Sequence, residues 1–242
     1  MIINGFNKLT LLDYPKHMAC IIFTKGCNFN CSYCQNSSLI SLKDEEKITE
    51  EEIFNFLKMR KNVLEGVVIS GGEPTIQKDL IPFIKKIKDL GYKIKLDTNG
   101  YNPSTLKYLI DNKLIDYVAM DIKNDLENYE KVTKNKININ VIKESINILL
   151  NSDLDMEFRT TIIKQYHDLK NIKNIIKLIK DKKYYIQNFV LSDDVQDKTL
   201  HGFTDLELIK IRKDIGYQNK NIKIRGIINS NLITKEEEVY YV

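Results

Sequence analysis

The chain has 242 residues, 43% hydrophobic and 29% charged, with ten glycines and four prolines. That composition excludes disordered, collagenous and membrane-embedded classes and suits a single core-forming domain over 1–242. Thirty-seven Lys and Arg against thirty-three Asp and Glu leave +4, with positives scattered among acids, so no nucleic-acid partner is demanded. The opening residues show no charged segment leading into an apolar core, and no later run reaches membrane-spanning length; a cytoplasmic protein without a membrane partner is expected.

In chain order, an N-terminal stretch leads into Cys20–Thr24, which reads as a short strand, and the polar, cysteine-rich segment after it reads as a loop. Ile48–Met59 has helical periodicity and opens with Thr49 followed by Glu52, the spelling of a capping box. Strand Gly66–Ser70, helix Leu80–Leu90 and strand Lys93–Asp97 follow; then come a helix after Asn102-Pro103, strand Tyr117–Ile122 and a helix near Val141–Leu150. Glu157–Ile163 reads as a strand, Leu169–Ile179 as an amphipathic helix, Tyr184–Leu191 as a strand, Leu206–Ile215 as a helix and Asn221–Gly226 as a last short strand. Helices between short strands imply right-handed βαβ units and a parallel sheet, about six units in all. Periodicity alone leaves an open doubly wound sheet and an incomplete barrel both standing.

The segments with unusual chemistry all fall at or just after predicted strands: the cysteines, Gly71-Gly72-Glu73-Pro74, Asp97-Thr98-Asn99-Gly100, Asp121-Ile122-Lys123 and Arg159-Thr160-Thr161. In parallel α/β folds that rim is where sites are built. All four cysteines lie within the first 34 residues, which is poor placement for disulfides and better placement for a local metal centre. Cys27, Cys31 and Cys34 put three thiols on one loop, whereas Cys20, on the strand, reads as a packed core thiol. A structural zinc closes its shell with four protein ligands, so His17 or a more distant histidine would have to complete it; a cubane held by three thiolates keeps one iron open. Both readings stand on the cysteines alone. Two glycines after a strand let backbone approach a ligand closely, and Glu73 suits a cationic group. Among the histidines His17, His167 and His201, His167 is best placed to face the rim. Tyr240-Tyr241 and the run Lys235–Glu238 read as a tail with solvated charges.

The spacing C-x3-C-x2-C with Tyr33 before the last cysteine, followed one βα unit later by GGEP, resembles the radical S-adenosylmethionine enzymes. The resemblance implies an α/β fold of incomplete (β/α)6 TIM-like barrel type. It also implies a 4Fe-4S cluster on Cys27, Cys31 and Cys34, whose open iron binds S-adenosylmethionine for cleavage to methionine and a 5′-deoxyadenosyl radical. It extends over nearly the whole chain and is closest to glycyl-radical-enzyme activases, in particular the longer type of anaerobic ribonucleoside-triphosphate reductase activating protein. Leu12-Asp13-Tyr14-Pro15, Leu96–Gly100, Met120–Lys123 and Phe158–Thr161 carry that narrower match, with Gln187-Asn188-Phe189 a weaker fifth.

By that match, Tyr33, Gln35, Gly71, Gly72, Glu73, Thr98, Asp121, Lys123 and Arg159 are the expected S-adenosylmethionine contacts. Asp97, Thr98 and Asp121 would hold a monovalent cation and Lys123 the cofactor's carboxylate, while Arg159 could equally pair with substrate or cofactor, or with a rim carboxylate as a structural bridge. The implied partners are a glycyl-radical enzyme, the anaerobic ribonucleotide reductase, and a flavodoxin or ferredoxin electron donor. Activation of pyruvate formate-lyase and a radical reaction on a small molecule, as in a deazapurine-type synthase, are alternatives; a metal-stabilised binding module or one-electron carrier is the non-enzymatic one. Lys16 and Gln35 stand where the activases commonly have Gly and His, whereas Asn36 fits, and no cysteine set remains for a second cluster.

Overall fold

The computed structural model describes residues 1–41, 48–234, 237, 240 and 241; of the charge run Lys235–Glu238, all but Glu237 lies outside them. The chain forms two compact units, one of Met1–Asn30, Asn36–Ala119 and Asn140–Asp155, the other of Cys31–Gln35, Met120–Ile139 and Met156–Val242.

The first unit contains β1 (Ile3–Thr10), β2 (Ala19–Thr24), α1 (Glu50–Arg60), β3 (Gly66–Gly71), α2 (Leu80–Asp89), β4 (Lys93–Thr98) and α3 (Pro103–Asp111). β5 (Tyr117–Asp121) begins in it and ends in the second unit. The second unit continues with α4 (Tyr129–Thr133), hands most of α5 (Ile139–Leu150) back to the first, and then holds β6 (Asp155–Ile162), apart from its first residue, α6 (Leu169–Ile179), β7 (Tyr184–Asn188), α7 (Asp205–Ile215) and β8 (Ile222–Arg225). The strands are ordered β1 to β8 as in the sequence. The pairs β2–β3, β3–β4, β6–β7 and β7–β8 are parallel and β1–β2 is antiparallel.

Sequence chemistry explains where these elements start. Thr49 accepts from the Glu52 amide and Glu52 reaches back to the Thr49 amide at 2.8 Å, closing the expected capping box of α1. Thr204 with Glu207 and Asp168 with Asn171 do the same for α7 and α6. Asn102 caps α3 ahead of Pro103. In the first unit the strands bury Ala19, Ile21 and Val68 against Tyr14 and Tyr117. Of the Leu12–Pro15 segment only Tyr14 packs core, buried where any side chain on Gly66 would strike its ring, while Leu12 is exposed.

Two elements escape sequence reading. β1 is half-exposed, and its pairing with β2 shifts register between Ile3 and Gly5 and again between Asn7 and Thr10, which erases the period-two signature. α4 is a single short turn closed by Lys134 in a left-handed conformation. β7 is also shorter than its apolar run: the Asn188 side chain bonds both the amide and the carbonyl of Phe203, and Val190 and Leu191 are exposed loop. Among the described residues no helix is long and apolar enough to cross a membrane.

Candidate active site

In the first unit, parallel pairing aligns the ends of β2, β3 and β4, so the loops that follow them lie side by side. Gly71, at φ +117°, pairs with Thr24, whose backbone a Cβ on Gly71 would overlap. A Cβ on Gly72 would overlap the Gly26 carbonyl, and the amides of Gly72 and Glu73 donate to Thr24 O at 2.9 Å and Gly26 O at 2.8 Å. The two glycines thus bring the GGEP backbone against the entrance of the cysteine loop, a protein neighbour where the sequence suggests only a ligand.

Glu73 is fully buried. One carboxylate oxygen accepts from the Thr75 amide at 3.1 Å and from the Thr75 and Thr98 hydroxyls at 2.6 and 2.7 Å; the other accepts from the Asn99 amide at 2.6 Å. Burial raises its pKa, and these donors pull it back only in part. Its side chain holds the β3 and β4 loops together.

Asn99, to which the sequence assigns no separate role, is the next link. Its side-chain Nδ2 donates to Asn28 Oδ1 at 2.7 Å and lies 4.0 Å from Cys27 Sγ, and its Oδ1 accepts from the Tyr101 backbone amide at 3.0 Å. The Cys27 sulfur also accepts the Phe29 amide at 3.4 Å. The only sequence signal for Asn99 is its readiness to form side-chain-to-backbone turns. Asp97 is taken up as well: Lys95 Nζ, on a side chain 2% exposed, lies 2.5 Å from Oδ1, and Ser70 Oγ donates to Oδ2 at 3.1 Å.

In the second unit, the Cys34 amide donates to the Cys31 carbonyl at 3.0 Å, closing a turn around Tyr33. Asp121 pairs with Lys123 Nζ at 3.0 Å and with Arg159 Nε at 2.8 Å. Burial would raise the Asp121 pKa, yet Arg159 and Lys123 hold it well below the usual carboxylate range. Burial works against the Lys123 ammonium too, but Asp121 keeps its pKa well above the ordinary value. Burial raises the pKa of the Tyr33 phenol and pushes the Cys31 thiol up to about 11, with Lys123 opposing both. Gln35 is exposed and donates to Val190 O at 2.8 Å.

The histidines do not serve as ligands in this arrangement. His167 is buried, with Nδ1 accepting the Ile163 amide at 3.1 Å and Nε2 against Lys123 O at 2.9 Å, so both ring nitrogens brace the β5 and β6 loops. His17 precedes β2, at the opposite end of that strand from the cysteines, and bonds Glu65 at 2.6 Å and Lys93 at 3.2 Å. It is therefore not placed to complete a Cys3His zinc site. Cys20 is buried within β2, where burial pushes its thiol up to about 12. His201 is exposed. None of the four cysteines is in a disulfide. Among the described residues no three His, Cys, Asp or Glu side chains are gathered as they are around a metal ion.

The expected monovalent cation does not fit these residues. Asp97 is neutralised by Lys95, Asp121 by two side-chain cations, and the Thr98 hydroxyl is given to Glu73.

The sequence matches the model of the Radical SAM superfamily over residues 21–168. It is 36% identical over 234 residues to a Methanocaldococcus jannaschii protein named as a glycyl-radical enzyme activating enzyme, covering 93% of this chain and 96% of that one. It is 28% identical over 187 residues to the pyruvate formate-lyase-activating enzyme of Clostridium pasteurianum, covering 74% and 76%. Among solved structures, SuiB of Streptococcus suis matches with a TM-score of 0.64 at 13% identity, over 81% of this chain and 44% of that one, a likeness of fold.

Proposed function

The chain belongs to the Radical SAM superfamily, and from that premise we propose that it is the activating enzyme of a glycyl-radical enzyme, the anaerobic ribonucleotide reductase. It is an enzyme of the radical S-adenosylmethionine kind, with the eight-stranded, mostly parallel α/β sheet of these partial TIM barrels, and the family implies a 4Fe-4S cluster and S-adenosylmethionine. The donor set suits the cluster: Cys27, Cys31 and Cys34 are three soft ligands, and His17, Cys20 and His167 are all committed elsewhere. Cys27, Cys31 and Cys34 would hold the cluster, which would supply the one-electron reduction of the sulfonium that side chains cannot provide, the chemistry by which a partner glycine would lose its Cα hydrogen.

The residues of this chain bind, aim and shield. Lys123 and Arg159 around Asp121 carry one positive charge in excess of the negative, which suits the carboxylate of S-adenosylmethionine. Tyr33 stays a neutral phenol and adds no competing anion. Gly71 and Gly72 keep the GGEP backbone against the cysteine loop, and Glu73 fixes the β4 loop beside it. We place the reaction in the cytoplasm, with a flavodoxin or ferredoxin as the electron source.

The observation that carries the activase reading is the 36% identity to an activating enzyme along 93% of this chain. Anaerobically reconstituted protein is expected to be brown, to hold about four irons per chain, and to release 5′-deoxyadenosine under a strong reductant. With the partner reductase present, a glycyl radical signal should appear in the partner by electron paramagnetic resonance. A colourless protein with one zinc, or turnover of a pterin with no partner present, would sink the proposal.

A further inference from the structure

β4 reads Lys93-Ile94-Lys95-Leu96-Asp97-Thr98, and the period of two in a strand puts Lys93, Lys95 and Asp97 on one face. Lys93 sits at the exposed start of the strand and reaches His17. Lys95, two residues on, has a side chain only 2% exposed, and its ammonium lies 2.5 Å from Asp97 Oδ1. Lysine is almost never buried unless it is paired, because its charge cannot be left without water or a counter-ion. The other Asp97 oxygen accepts from Ser70 on the neighbouring strand.

An alkali cation at Asp97 would have to displace that ammonium or sit beside it against like-charge repulsion. In the second unit, Asp121 faces two side-chain cations, so an added cation would enter a site already positive. We infer that Lys95 supplies, covalently, the positive charge that the expected monovalent cation would have brought to Asp97, so that this enzyme holds S-adenosylmethionine without one. The inference rests on the cofactor part of the function proposed above and not on the identity of the radical acceptor.

The test exchanges potassium chloride for choline chloride at equal ionic strength and measures the dissociation constant of S-adenosylmethionine on the cluster-loaded protein. The wild-type constant should change by less than about twofold. Lys95→Met, close in length and uncharged, should bind about tenfold more weakly in choline chloride and recover when potassium is restored. A wild-type affinity that tightens about tenfold with potassium, or a Lys95→Met protein that binds equally well in both salts, overturns the inference.

The same exchange, read by the unfolding midpoint of the cluster-free chain, reports the charge at Asp97 without the cofactor. There wild type should be indifferent to potassium and Lys95→Met stabilised by it; the reverse pattern again overturns the inference. Absence of S-adenosylmethionine binding in every salt would count against the cofactor reading, and the unfolding midpoints would still decide the role of Lys95.

Discussion

His167 illustrates what one buried ring does for a site it does not enter. Burial holds its pKa below the ordinary 6.5, and the bonds to Lys123 O and Ile163 N restore only part of the loss. The unfolded chain therefore takes up a proton near the ordinary value that the folded chain refuses until lower pH. This contribution is complete at neutral pH and above and is lost as pH falls through 6.5 toward the folded value. The expected slope is at most about 1.4 kcal/mol per pH unit. Asp121, with a depressed pKa, also loses its contribution in acid, but below its ordinary 3.8, so the two windows are separate. Chemical denaturation at intervals between about pH 5 and 8 should show this slope in wild type and a flat line in His167→Asn; equal slopes would assign the proton to another group. At this scale the sequence discloses the residues whose type is itself unusual, the three thiols and the paired glycines. It does not disclose Lys95 or Asn99, because a lysine in a Lys-Ile-Lys strand looks solvated until the neighbouring Ser70 and the burial of β4 are known.

Between elements, a tight constraint is the packing of the GGEP turn against Thr24 and Gly26, at the entrance of the cysteine loop. Gly71 requires its positive φ, and Gly72 requires the absence of a Cβ, since the Gly26 carbonyl occupies that space. Gly72→Ala must push the two loops apart and weaken the amide bonds to Thr24 and Gly26, at a cost of about 1–3 kcal/mol. The expected result is a folded chain with a lower unfolding midpoint and less iron retained after gel filtration than wild type, and wild-type iron content would show that the cysteine loop does not depend on this packing. The strand-and-helix alternation that sets up the turn is largely legible in the sequence. Leu169–Ile179 forms α6 over the same bounds, and the capping box predicted at Thr49 closes. β1 is not legible, since its stability comes from an irregular pairing with β2 rather than from its own pattern. Nor is the early end of β7, which is set by Asn188 bonding to Phe203 fifteen residues away.

For the whole molecule, connectivity decides how the two compact units must behave on unfolding. The chain passes from one to the other five times, the second unit takes only Cys31–Gln35 from the early sequence, and β5 starts in one and finishes in the other. Neither unit is a contiguous segment that could be cut out, and half of a five-residue strand cannot melt while the other half stays paired. We therefore expect one cooperative transition over 1–242: a single calorimetric peak whose van't Hoff and calorimetric enthalpies agree, with coincident far-ultraviolet and tyrosine signals, the thirteen tyrosines being spread through both units. Two resolved peaks would mean that the units fold separately despite the crossings. In that case the single-domain reading of the sequence would give way to two domains interleaved along one chain.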